Sequence, residues 1–180
     1  MEDQNLVSSG ISCYNKIKYK KGALAMKQTA FIAPNATMVG QVTLGEHVNI
    51  WYGAVLRGDN GPITVGDGTN IQDNAVLHDE TVIGRYCTIG HSAIVHGCTV
   101  GDNCTIGMGA IVLSGAVIGE NSLVGAGAVV TGKMNAPAGS LLLGNPARIV
   151  KSLTQEQIDV QRQNAEHYVE LGKAAFGLEG

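Results

Sequence analysis

Aliphatic residues recur every six positions over most of this chain. The anchors are Ile32, Met38, Leu44, Ile50 and Leu56, then Val65, Ile71, Leu77, Ile83, Ile89 and Val95, then Val100, Ile106, Val112, Ile118, Val124 and Val130. Four residues after nearly every anchor stands a small or β-branched side chain, among them Ala36, Val48, Ala75, Cys87, Thr99, Cys104, Ala110 and Ala128. A period of six matches neither the stripe of a helix nor the alternation of a simple strand. It does match a coil in which each hexapeptide is one short strand plus one corner and three hexapeptides close a triangular turn. Anchors and their small companions then point inward, and coils stack at the inter-strand spacing of about 4.8 Å. The predicted fold class is therefore all-β, a parallel β-helix over residues 29–150, with a C-terminal helix over 151–180 and an N-terminal extension over 1–28.

The period breaks twice. Leu56 to Val65 spans nine residues, with the excess in Arg57-Gly58-Asp59-Asn60-Gly61-Pro62, and Val95 to Val100 spans five, directly after His96. Breaks in an otherwise strict repeat are where strain or function is expected. Residues 132–146 read as a loop rich in Gly and Pro. Beyond it Thr154 and Gln157 make a capping box for a helix that sets Ile158, Ala165, Tyr168, Val169 and Phe176 near one face.

A formal charge of -3 gives no global basic field for nucleic acid or acidic lipid. The local cluster Lys16, Lys18, Lys20 and Lys21 reads as a solvated arm. With no long apolar run and no signal-peptide core, the expectation is a soluble, cytoplasmic protein with no membrane partner. Cys13, Cys87, Cys98 and Cys104 lack both zinc spacing and a C-x-x-C pair and are read as reduced thiols, Cys87 and Cys104 being inward and one coil apart.

Three of the five histidines fall where the repeat can position them. His78 and His96 are eighteen residues apart, each one place after an anchor, so they stack in one column with Arg57. Asp73 and His91 are also eighteen apart but two places after Ile71 and Ile89, on the preceding face, with Gln72 beside Asp73. Three neutral imidazoles suit a zinc-like ion and leave a coordination position for water. Because His91 projects from a different face and cannot easily reach the same ion, a second chain can supply it, and a cyclic trimer of prisms would create three equivalent interface sites. Arg57 and Asp59 suit an ion pair at such an interface, Asp73 could brace His91, and the amide of Gln72 could orient a metal-bound hydroxide. His47 and His167 have no partners in the pattern and read as surface residues.

Arg57-Gly58-Asp59, Gln72-Asp73-Asn74, His78 and the block from Gly90 through His91 and His96 to Cys98 resemble the gamma-class carbonic anhydrase family. Gly144-Asn145-Pro146-Ala147-Arg148 is similar to the closing segment of hexapeptide-repeat proteins generally. The resemblance covers about residues 29–176 and supplies the left-handed sense of the β-helix. It implies a homotrimer hydrating carbon dioxide to bicarbonate on zinc, or iron or cobalt in its place. In that scheme His78 and His96 come from one subunit and His91 from its neighbour, Gln72 lies at the bound hydroxide, and the Arg57–Asp59 pair sits between subunits. Tyr168 matches a tyrosine that some relatives bring toward the site. The chain departs from those enzymes where Asp79-Glu80-Thr81 follows His78 at once, without their acidic shuttle loop, and where Asn60 replaces a glutamate. Rival readings are thioester or ester cleavage on the same centre, metal-free acyl transfer from coenzyme A with a histidine base, and a structural role.

Overall fold

The computed structural model describes residues 24–26 and 29–176. It is a left-handed parallel β-helix closed by one helix, Gln155–Phe176. Three columns of anchors run up its interior. The first stacks Ile32, Ile50, Ile71, Ile89, Ile106, Val124 and Leu142. The second stacks Met38, Leu56, Leu77, Val95, Val112 and Val130, and the third Leu44, Val65, Ile83, Val100, Ile118 and Ala136. All of these are buried, and each large aliphatic among them contributes roughly 1.5–3 kcal/mol of hydrophobic stabilisation. The two long strands Thr37–Leu44 and Val55–Val65 run around a corner and so join the second and third faces into one sheet.

Most corners turn the chain through a residue in the left-handed region. Gly53, Asn74, Ser92, Gly109 and Gly127 do this at one edge of the prism, and His47, Gly68, Tyr86, Asn103, Asn121 and Gly139 at another. Asparagine tolerates this conformation through local hydrogen bonding. His47, expected at the surface without partners, is such a corner residue: it is only partly exposed, and its backbone N–H donates to Thr29 Oγ1 at 3.1 Å. His167 is exposed, as expected.

The two breaks in the period appear as register steps. Val39 pairs with Arg57 and Gly40 with Gly58, but Val42 pairs with Ile63, so three additional residues bulge out around Asp59, Asn60 and Gly61. The shortened step lies at His96-Gly97, because Val82 pairs with Thr99 and Ile83 with Val100. This corrects one inward assignment: Thr99 is exposed, and the small buried residue of that hexapeptide is Cys98.

The ends differ more from expectation. Residues 132–146 are not a plain loop, since Asn135–Ala136 pairs with Val117–Ile118 and Leu141–Leu142 with Leu123–Val124. Proline and glycine at the corners masked a repeat that continues in step through Ala136 and Leu142. Ser140–Gly144 then folds back antiparallel on Ala147–Ser152. At the other end Leu24–Met26 pairs in parallel with Val42–Leu44, so the stack begins within what had been read as an extension. Lys16, Lys18, Lys20, Lys21 and Cys13 lie outside the described residues.

The C-terminal helix starts with the expected reciprocal cap: Thr154 N–H donates to Gln157 Oε1 at 3.0 Å and Gln157 N–H to Thr154 Oγ1 at 3.3 Å. It runs back along the first face. Gln161 donates to Asn121 O, Asn164 donates to Thr88 Oγ1, Tyr168 meets Trp51 edge-on, and Gly172 lies close on Phe31 and Asn49. The side chain of Phe176 lies outside the described residues.

Candidate metal centre

His78 and His96 end the strands Val76–His78 and Ile94–His96, where they are direct register partners. Their rings meet edge to face with centroids 5.0 Å apart. His91 sits in the corner that precedes the same face, before Ile94, whereas His78 and His96 sit at the corner that follows it. The three histidines thus flank one face of the prism at opposite edges. Among the described residues no three His, Cys, Asp or Glu side chains of one chain come together as a metal-holding group.

An oxygen lies close to Nδ1 in each of the three rings. His78 Nδ1 lies 2.7 Å from the Arg57 carbonyl oxygen, His91 Nδ1 2.9 Å from Asp73 Oδ2, and His96 Nδ1 2.8 Å from Ser114 Oγ. In each case an oxygen can hold the proton on Nδ1 and leave the lone pair on Nε2. Bracing of this kind is characteristic of metal-ligating histidines. The donor set therefore fits a zinc-like ion, with two imidazoles available at one edge and a third at the other.

Arg57 and Asp59 form their ion pair within the chain, Nη1 lying 3.0 and 3.1 Å from the two carboxylate oxygens. The other terminal nitrogen, Nη2, lies 2.6 Å from His78 Nε2 and donates to that nitrogen. A cation bound there requires this arm of the guanidinium to swing aside. Burial opposes ionisation of Asp59, but the hydrogen bond and charge of Arg57 outweigh it and hold the carboxyl below the ordinary carboxylate range. Asn60, in the bulge, donates to Asp79 Oδ1 at 3.2 Å, and the same oxygen accepts the Glu80 N–H at 3.0 Å.

Gln72 is buried, and both ends of its amide are engaged inside the chain. Oε1 accepts the His91 backbone N–H at 3.1 Å, and Nε2 donates to Asn70 Oδ1 at 3.1 Å. Asn70 in turn donates to Thr88 Oγ1 at 2.9 Å, the hydroxyl that also receives Asn164 from the helix. A continuous polar chain therefore links the helix to the backbone of His91. Tyr168 stands over this region with its ring 5.7 Å from that of Trp51. Partial burial, and secondarily the charge of Asp73, raise its pKa above the ordinary tyrosine value.

Ser114, Asn70, Thr88 and Asn164 are the supporting residues that the sequence reading did not single out. For two of them a signal was present: Ser114 follows His96 by eighteen residues, and Thr88 follows Asn70 by eighteen.

Comparison with known proteins completes the assignment. Residues 59–164 match the family model of the GMPPB C-terminal domain, and this stretch belongs to that domain family. Gamma carbonic anhydrase 1, mitochondrial, of Arabidopsis thaliana is 46% identical over 155 residues, which are 81% of this chain and 56% of the relative. The chain thus spans little more than half the length of that protein. A Methanocaldococcus jannaschii protein named "Probable carbonic anhydrase" is 48% identical over 146 residues, covering 79% of this chain and 92% of its own. Among solved structures, a hexapeptide transferase family protein from Anaplasma phagocytophilum superposes with a TM-score of 0.83 at 46% identity, over 87% of this chain and 95% of the other. Coils, histidine columns and near-full-length relatives agree: the chain belongs to the gamma-class carbonic anhydrase family of hexapeptide-repeat proteins.

Proposed function

We propose that this protein hydrates carbon dioxide to bicarbonate at metal centres shared between the subunits of a homotrimer. His78 and His96 of one subunit and His91 of the partner subunit would hold the ion, zinc being the cation best suited to three imidazoles, with iron or cobalt as substitutes. The observation that carries this reading is an oxygen beside each of the three Nδ1 atoms, which suits all three rings to ligation through Nε2 in one chain that cannot bring them together by itself. A trimer is further supported by the face between the histidine edges, where Val55, Val76, Ile94, Ile111 and Val129 form an outward aliphatic ladder in register. Closing that ladder against a neighbour removes apolar surface from water.

When bound, the ion supplies Lewis-acid chemistry that makes water nucleophilic near neutral pH. The residues of this chain supply the rest. Asp73 and Gln72 fix the ring and the backbone of His91, Arg57 contributes the carbonyl that orients His78, and Tyr168, like any tyrosine at physiological pH, is a neutral hydroxyl, its pKa raised further by burial. Asp79 is occupied by Asn60 and by the Glu80 backbone, so proton export falls to solvent and buffer, and turnover is expected to rise with buffer concentration.

The test is metal analysis of anaerobically purified protein followed by stopped-flow hydration. About one ion per chain with buffer-dependent hydration is expected; loaded protein that hydrates nothing would contradict it. A second reading, acyl transfer, is favoured by the likeness to the hexapeptide transferase family protein. Metal-free protein that turns over acyl-coenzyme A would establish it instead.

A further inference from the structure

We infer that Ser114 is a positioning residue: its hydroxyl decides which ring nitrogen His96 offers to a metal. The inference rests on the metal reading above. His78 and His91 are braced by acceptor-only oxygens, a backbone carbonyl and a carboxylate. Those oxygens can only receive Nδ1–H, so each neutral ring must keep its lone pair on Nε2. A serine hydroxyl both donates and accepts. If Ser114 accepts from Nδ1–H, Nε2 is free to ligate; if it donates to Nδ1, the proton resides on Nε2 and that atom cannot. His96 is thus the one histidine of the three whose tautomer depends on how a neighbouring hydroxyl is turned.

The surroundings of Ser114 leave room for that orientation. Ser114 lies on the wall of a groove of about 320 Å³ that is also lined by Asp79, Glu80, Thr99 and Val117. The groove carries two acidic residues, and a hydroxyl whose proton points into it leaves its oxygen lone pairs for His96. Gly97 permits the approach: it turns at φ 56°, and a Cβ there would come within 2.8 Å of Ser114 Oγ. The one-residue shortening after His96 falls at this same glycine. It brings a glycine corner under the hydroxyl that orients the ligand.

The test compares Ser114→Thr with Ser114→Val, two side chains of one shape of which only threonine keeps the hydroxyl. Zinc affinity is measured by competition with a chromophoric chelator on the full chain. The His96 tautomer of zinc-free protein is read by ¹⁵N spectroscopy of histidine-labelled samples. Ser114→Thr is expected to stay near wild type, and Ser114→Val to bind zinc about 10- to 100-fold more weakly with a proton appearing on Nε2 of His96. Equal affinity and an unchanged tautomer in both variants would overturn the role of Ser114 while leaving the metal site standing. A wild-type chain that takes up no zinc would overturn the metal reading itself.

Discussion

Replacing Asp73 by alanine isolates the contribution of a single brace. Asp73 Oδ2 lies 2.9 Å from His91 Nδ1, and the two side chains are 36% and 45% exposed. A hydrogen bond to a charged group is worth about 1.5–3 kcal/mol where water is excluded. With this much exposure, solvent screening brings the expected value below that range, to about 1 kcal/mol, or roughly a fivefold loss in zinc affinity. Asp73→Asn keeps an acceptor oxygen and removes the charge, so its loss should be smaller. The assay is zinc competition on the full chain, with oligomeric state followed by light scattering so that altered assembly is not mistaken for altered ligation. The second readout is Tyr168. Burial is the larger cause of its raised pKa and persists in the variant, but the contribution of the Asp73 charge disappears. Its phenolate, isolated by difference against Tyr168→Phe, should then form at a lower pH than in wild type. Unchanged zinc affinity in Asp73→Ala would refute the bracing argument for His91.

Other residues give further expectations. Gly97→Ala adds a Cβ 2.8 Å from Ser114 Oγ at a left-handed φ; a cost of about 1–2 kcal/mol and weakened zinc binding are expected in thermal melts and titrations. A tyrosine whose folded pKa is raised contributes stability in full below its unfolded value near 10 and loses it as pH rises through the folded value. Wild type should therefore lose more stability than Tyr168→Phe above about pH 10, as measured by urea unfolding at several pH values. Burial pushes the Cys98 thiol up to about 12 and Cys87 well above the ordinary range, so peptide mapping after brief alkylation of native protein near neutral pH should find both unmodified and should find them labelled once the chain is unfolded.

Much of this architecture was legible because hexapeptide coils translate sequence spacing directly into height along one axis. Anchors such as Ile71, Ile89 and Ile106 could be placed in one column from spacing alone, and the structure keeps them there. The stacking of His78 on His96 followed from the same eighteen-residue step. The misreadings occurred where composition overrode spacing. Proline and glycine between Val130 and Leu142 suggested a loop although the six-residue step continued beneath them. Thr99 was counted inward because the missing residue was placed after Val95 without deciding where in the hexapeptide it fell; pairing of Val82 with Thr99 puts it before Cys98. The support shell was harder to see. Ser114 and Thr88 carry ordinary hydroxyls that become informative only once a ring or an amide is known to lie one coil below, and Asn164 reaches Thr88 across 76 residues, a separation no periodicity encodes.

The central claim is that imidazoles of two different subunits converge on one ion, and subunit mixing tests it directly. His91→Ala and His78→Ala chains are each expected to bind no zinc at these centres. Unfolded together in equal amounts and refolded at random, three-quarters of the trimers are mixed, and every mixed trimer has one interface at which an intact His78 and His96 face an intact His91. About one quarter of the wild-type zinc content should therefore return. Zinc content that stays at the level of the separate variants, in a preparation shown by mass spectrometry to contain mixed trimers, would contradict the account.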